Sequence, residues 1–158
     1  MTGVQTCALP ILELVYHHHM GTVVQSGVEI DRLMDASGPE VRLLLDTGHA
    51  TFGGADPVAL TRKYRDRIGH VHCKDVRAGV MERVWRDRMS FLEGVIAGVF
   101  TVPGDGMVDF PAVLAELPGY DRWLVVEAEQ DPATANPLVY ATMGRKNLAA
   151  YARGAGML

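Results

Sequence analysis

VRLLLDTGH, residues 41–49, decides how this chain is read. Its first half is a near-continuous apolar run, the pattern of a strand buried on both faces of a parallel sheet. Its second half turns at once into Asp46 and His49, side chains with ligand chemistry. The same design recurs in LELVYHHHMGT (12–22), RIGHVHCKD (67–75) and RWLVVEAEQD (122–131). Each is a short apolar run that breaks into polar, ligand-type residues at its C-terminal end. A (β/α) barrel builds its site this way, from strand ends and the loops that follow them.

The intervening segments read as helices. Ser26 and Glu29 have capping-box spacing ahead of a helix over 27–36, which directs Val28, Ile30, Leu33 and Met34 toward a core. TGHATFGGADP (47–57) reads as a loop carrying His49, with glycines at 48, 53 and 54. Asp56-Pro57 then opens a helix to about Asp66. Residues 80–97 hold a helix or two, and FTVPGDGMVDF (100–110) is loop-rich. Asp109 caps a helix over about 110–117, which Gly119 ends. The tail, about 133–153, is helical, with Asn136-Pro137 at its start or at a kink. Alternation of this kind predicts a parallel sheet with right-handed crossovers. Four units are half of an eight-unit barrel of about 250 residues. The fold class expected is α/β, half of a (β/α)8 TIM barrel with parallel strands and outer helices.

The 158 residues have a hydrophobic share of 48%, a charged share of 22% and a formal net charge of −4. The acidic balance and the lack of a basic stripe argue against nucleic acid as partner. No apolar run approaches the roughly 20 residues needed to span a bilayer, so no membrane partner is expected. Two cysteines, Cys7 and Cys73, are too few for a disulfide framework and suit a reducing cytoplasm. MTGVQTCALPIL (1–12) resembles translated sequencing-adapter read-through and is set apart as a non-native segment; the alternative is a natural strand turning at Pro10. The domain is therefore taken as 13–158.

Side chains two apart on a strand share a face. His17 and His19 point together and His18 points away; His70, His72 and Lys74 share a face, as do Glu127 and Glu129. If the strands are neighbours, Asp46, His72 and Glu127 converge at one end of the sheet. Such a mixed oxygen and nitrogen set suits Mn²⁺, Co²⁺, Mg²⁺ or Zn²⁺. Plainer readings exist for each residue. A single Asp at a strand end is more often a cap or an ion-pair partner, His70 is a packed histidine, and Lys74-Asp75 is a solvated pair. The glycines around Asp105 serve a tight turn, since no phosphate-loop or dinucleotide fingerprint is present. Glu127 is harder to set aside, because a carboxylate closing an apolar strand is costly to bury unpaired.

Taken together, YHHHMGT (16–22), LLLDTGH (43–49), HVHCKDVR (70–77), FTVPGDGMVDF (100–110) and WLVVEAEQDP (123–132) resemble the inosose dehydratase family, among the xylose isomerase-like barrels. The resemblance covers roughly 13–153. It implies the C-terminal half of a (β/α)8 barrel. The implied activity is that of a hydro-lyase in inositol catabolism, dehydrating 2-keto-myo-inositol (scyllo-inosose) to a trihydroxycyclohexane-dione with Mn²⁺ or Co²⁺. The superfamily's Glu, Asp, His, Glu ligand set maps its last three members onto Asp46, His72 and Glu127, with His17 or His19 in place of the first. Glu127 or His49 would accept the proton next to the ketone, and Lys74 or a histidine would assist loss of the hydroxyl. Arg77 and His19 would contact the cyclic polyol ketone. Three further expectations follow: a cytoplasmic protein, a homo-oligomer, and two rival readings. The rivals are a metal-dependent sugar isomerase or epimerase, and an inactive truncated fragment.

Overall fold

In the computed structural model residues 13–158 are described, so the segment 1–12 set apart above lies outside the described residues. The strands are β1 (Leu14–His17), β2 (Val41–Asp46), β3 (Ile68–Cys73), β4 (Asp75–Val76), β5 (Phe100–Thr101) and β6 (Leu124–Val126). β1, β2, β3 and β6 form one parallel sheet in that order, the arrangement the alternating pattern predicts. β4 and β5 pair antiparallel beside it, a pair too short for sequence periodicity to reveal.

Register sorts the side chains into two faces. His17 lies opposite Leu44, Asp46 opposite His72, and His72 opposite Val125. Paired residues share a face, so these groups line one side of the sheet. The other side presents Leu43, Leu45 and Val71, all fully buried. Removing each such side chain from water contributes about 1.5–3 kcal/mol.

Among the described residues seven α-helices follow or cover these strands. They are α1 (Gly27–Ala36), α2 (Thr47–Phe52), α3 (Pro57–Tyr64), α4 (Ala78–Arg86), α5 (Phe91–Ile96), α6 (Phe110–Ala115) and α7 (Pro137–Gly154). Ile30 and Met34 of α1, Leu60 and Tyr64 of α3, Phe110 and Leu114 of α6, and Leu148 and Ala152 of α7 complete the main core. The capping box ahead of α1 is formed: Ser26 N–H donates to the Glu29 carboxylate at 2.9 Å, and Glu29 N–H donates to Ser26 Oγ at 3.4 Å. Val28 corrects an expectation, because it is 70% exposed. Ile30 and Met34, four apart, set the buried stripe, and a residue two positions before Ile30 faces away from it.

α2 corrects another. TGHATFGGA reads as loop, but Asp46 Oδ1 accepts the His49 N–H at 2.9 Å and starts a short helix. That helix stands on burial of His49, Ala50 and Phe52 rather than on intrinsic propensity. A second cluster of Phe52, Val76, Met81, Val84, Val99 and Phe100 floors the end of the sheet where the polar residues gather. On the far side α7 comes close to β6: a Cβ on Gly144 would stand 2.7 Å from side-chain atoms of Val102 and Val126. Among the described residues no helix is long and apolar enough to cross a membrane.

Candidate metal centre

Asp46 sits at the centre of the site. It ends β2, is fully buried, and divides its two oxygens between two tasks. Oδ1 caps α2, while Oδ2 faces a ring of histidines. His17 Nε2 is 3.4 Å from that oxygen and His72 Nδ1 is 3.5 Å from it. His72 Nδ1 also lies 2.8 Å from Glu127 Oε2. These two atoms are close enough to attract as charges but are not aligned as a hydrogen bond, and both are buried without a hydrogen-bond partner. One oxygen of Asp46, one nitrogen of His72 and one oxygen of Glu127 lie within 4.8 Å of one another. Buried polar atoms left without partners are costly. A cation that accepts two carboxylates and an imidazole satisfies all three, so the residues fit a divalent ion.

The electrostatics are those of a partly compensated cluster. Burial works against the charge on Asp46, but His17, His72 and Lys74 more than offset it and hold the carboxyl well below its usual range. Burial likewise opposes protonation of His72, yet Asp46 and Glu127 beside it raise its pKa to about 9. His18 lies on the opposite side from His17, as alternation predicts. It is fully buried, and its Nε2 accepts the Asp46 N–H at 3.2 Å. Burial lowers its pKa to about 4, so it is a neutral brace behind Asp46.

A second group adjoins the first. Lys74 is fully buried, which overturns the solvated-pair reading of Lys74-Asp75. Its Nζ donates to Glu129 Oε2 at 2.7 Å and lies 2.8 Å from His49 Nε2. It is also 3.5 Å from Glu127 Oε2 and 3.7 Å from Asp46 Oδ2. His49 Nε2 is 3.3 Å from Glu129 Oε2, and burial lowers the pKa of His49. Burial resists the charge on Glu129, but His49 and Lys74 prevail and take its pKa down to about 2. His19 lies against His49 with ring centroids 3.6 Å apart and the planes tilted by 40°, and it approaches Glu129 Oε1 at 3.8 Å. The adjacent Asp75 is buried too; it accepts backbone N–H bonds from Val76, Gly104, Gly106 and Val108 at 2.8–3.0 Å, tying the 102–108 loop to the strand end.

The structure therefore brings together Asp46, His72, Glu127, His17, His49, Lys74 and His19. It does not bring Arg77 to them. The Arg77 guanidinium donates to Gly98 O, Thr101 Oγ1, Asp105 Oδ2 and Tyr140 OH, a network that braces the loop instead. Glu129 is the group that sequence reading passed over as a site residue, although its shared face with Glu127 was a signal. Its backbone has φ 47°, the left-handed region that non-glycine residues seldom occupy. That turn brings its carboxylate to Lys74 and His49.

The description "Xylose isomerase-like TIM barrel" belongs to the family model that matches residues 11–154. The rhizopine catabolism protein MocC of Rhizobium meliloti is 55% identical over 90% of this chain and 45% of its own length. An inosose dehydratase of Lacticaseibacillus casei is 52% identical over 87% of this chain and 47% of its own. The chain thus spans about half the length of these relatives. A solved structure, the probable 3-DHS dehydratase of Bacillus anthracis, superposes with a TM-score of 0.66 at 19% identity, covering 87% of this chain and 49% of that one. The parallel sheet, its covering helices and the match along nearly the whole described chain lead to one assignment: the chain belongs to the xylose isomerase-like TIM barrel family.

Proposed function

We propose that this chain supplies the metal-holding and proton-moving residues of a cytoplasmic hydro-lyase that removes water from a cyclic polyol ketone, 2-keto-myo-inositol. Residues 13–158 are read as the C-terminal half of a (β/α)8 barrel. The observation that carries the reading is the meeting of Asp46 Oδ2, His72 Nδ1 and Glu127 Oε2 beside the buried Lys74. The names of the relatives, an inosose dehydratase among them, supply the substrate class. Asp46, His72 and Glu127 would hold Mn²⁺ or Co²⁺, with His17 beside them. Such an ion, when bound, supplies Lewis-acid polarisation of the ketone and so acidifies the neighbouring C–H.

The protein's own groups then handle the protons. Glu127 takes the proton from the carbon next to the ketone. Lys74 gives one to the hydroxyl on the next carbon, which departs as water. Glu127 would hold the ion through Oε2 and carry that proton on Oε1, from which it returns to Lys74, so no net proton is gained or lost. His49, 2.8 Å from Lys74, steadies the amine in its neutral moment. His19, partly exposed and backed by the buried His49, presents a ring surface on which the polyol can rest.

The test is incubation with 2-keto-myo-inositol and Mn²⁺ while following dione absorbance. Appearance of the dione, lost in Asp46→Ala, supports the reading. Ketose–aldose exchange without loss of water would replace it with isomerase chemistry, since returning the same proton to carbon gives isomerisation.

A further inference from the structure

The site contains three overlapping groups of ligand atoms, one of which, His17, Asp46 and His49, joins the other two. Asp46, His72 and Glu127 make the first; His19, His49 and Glu129 make the second, its atoms also within 4.8 Å of one another. The sets adjoin, with Asp46 Oδ2 only 3.9 Å from His49 Nε2. Dinuclear sites hold two neighbouring ions on adjoining ligand sets, and here the second set offers donors for a further ion beside the first.

Lys74 stands in the second set. Its ammonium is 2.7 Å from Glu129 Oε2 and 2.8 Å from His49 Nε2, but 3.5 Å and 3.7 Å from Glu127 and Asp46 of the first. Resting on the metal reading above, we propose that Lys74 acts as the second cation of the site: it makes the centre mononuclear by filling the position a second divalent ion would take.

Three further observations support this. The charges balance for one ion. Asp46, Glu127 and Glu129 bring three negative charges and Lys74 one positive, leaving two, which one divalent cation neutralises. A second divalent ion beside an intact Lys74 would leave the cluster with excess positive charge in a buried site, where such excess is strongly unfavourable.

The lysine is also held in place. Its stem crosses Gly48 where no side chain stands: a Cβ there would lie 2.5 Å from Lys74 Cγ and 2.7 Å from Cδ. Its ammonium sits 4.9 Å from the centre of the Phe100 ring, an apolar floor that favours a fixed cation over a hydrated one. Finally, Lys74 is fully buried, so it has no solvated alternative position that would vacate the second set.

The experiment counts ions. The chain is stripped with chelator and titrated with Mn²⁺ by calorimetry, and bound Co²⁺ is measured by elemental analysis, for wild type, Lys74→Ala and Lys74→Gln. The glutamine keeps the stem over Gly48 and offers an amide oxygen, so it covers the case in which the alanine variant fails to fold. Circular dichroism checks both. The expected result is one ion for wild type and two for each folded variant. Two ions in wild type overturn the proposal, because the lysine then excludes nothing. One ion in every form overturns it as well, and so does loss of all binding in the variants, which would make Lys74 a support for the first ion. No ion in wild type strikes instead at the metal reading on which the proposal rests.

Discussion

The two faces of one strand make the sharpest contrast in this molecule. On β2, Leu43 and Leu45 look into the helical layer, while Leu44 and Asp46 look toward the histidines. The first pair is held by removal of hydrocarbon from water, which is tolerant of shape within limits. Asp46 is held by neighbouring charges and aligned donors, which tolerate almost nothing. Neighbouring residues therefore follow different rules, and mutating them should separate fold from chemistry.

Asp46→Asn gives the largest expected effect. It keeps the volume but removes the charge that His17, His72 and Lys74 surround. Breaking a buried ionic set costs about 3–5 kcal/mol. Metal uptake, measured by calorimetry, should be lost along with that stability; retention of both would erase the contrast. Leu45→Ala tests the other face. It should cost about 2–5 kcal/mol in denaturant unfolding while the number of bound ions stays the same. A changed ion count would mean that the two faces are mechanically coupled.

pH sharpens the comparison further. His72 is protonated in the ion-free site with a pKa raised to about 9, above its ordinary 6.5. Its stabilising contribution is complete below pH 6.5 and is lost as pH climbs through about 9, a loss of at most about 3 kcal/mol. The ion-free chain should therefore melt at a lower temperature at pH 9.5 than at pH 6. With metal bound the ion takes the proton's place, and this slope should flatten. Equal slopes with and without metal would remove His72 from the ligand set. The smallest effect belongs far from both faces: Ser26→Ala removes the cap of α1 and should cost about 1 kcal/mol with no change in ion binding.

Much of this was legible in the chain. Four apolar runs, each ending in a polar group, announce a parallel sheet whose tails carry polar groups, and if those strands are neighbours Asp46, His72 and Glu127 fall at one end. What the sequence leaves unseen is mostly non-local. α2 was hidden because Gly48, Gly53 and Gly54 weaken its local signal, while its stability comes from burial of His49 and Phe52, a tertiary effect. Lys74 is expected in the site, but nothing in HCKDV says that its ammonium is buried among three carboxylates over an aromatic floor, so the solvated-pair alternative stays open in the sequence. The bracing role of Arg77 is invisible locally because its four acceptors lie 21 to 63 positions away in sequence. Val28 is a local exception: its residue type points inward but its helix phase points outward.

The left-handed backbone at Glu129 has a consequence for anyone who would redesign the site. Glycine or asparagine would suit that main-chain conformation better. Neither supplies the acid that reaches Lys74. A library at this position should split into variants that relax the chain and lose the partner, and the parent residue, which does the reverse. Directed evolution for thermal robustness would drift toward the first group, and selection for turnover would pull it back.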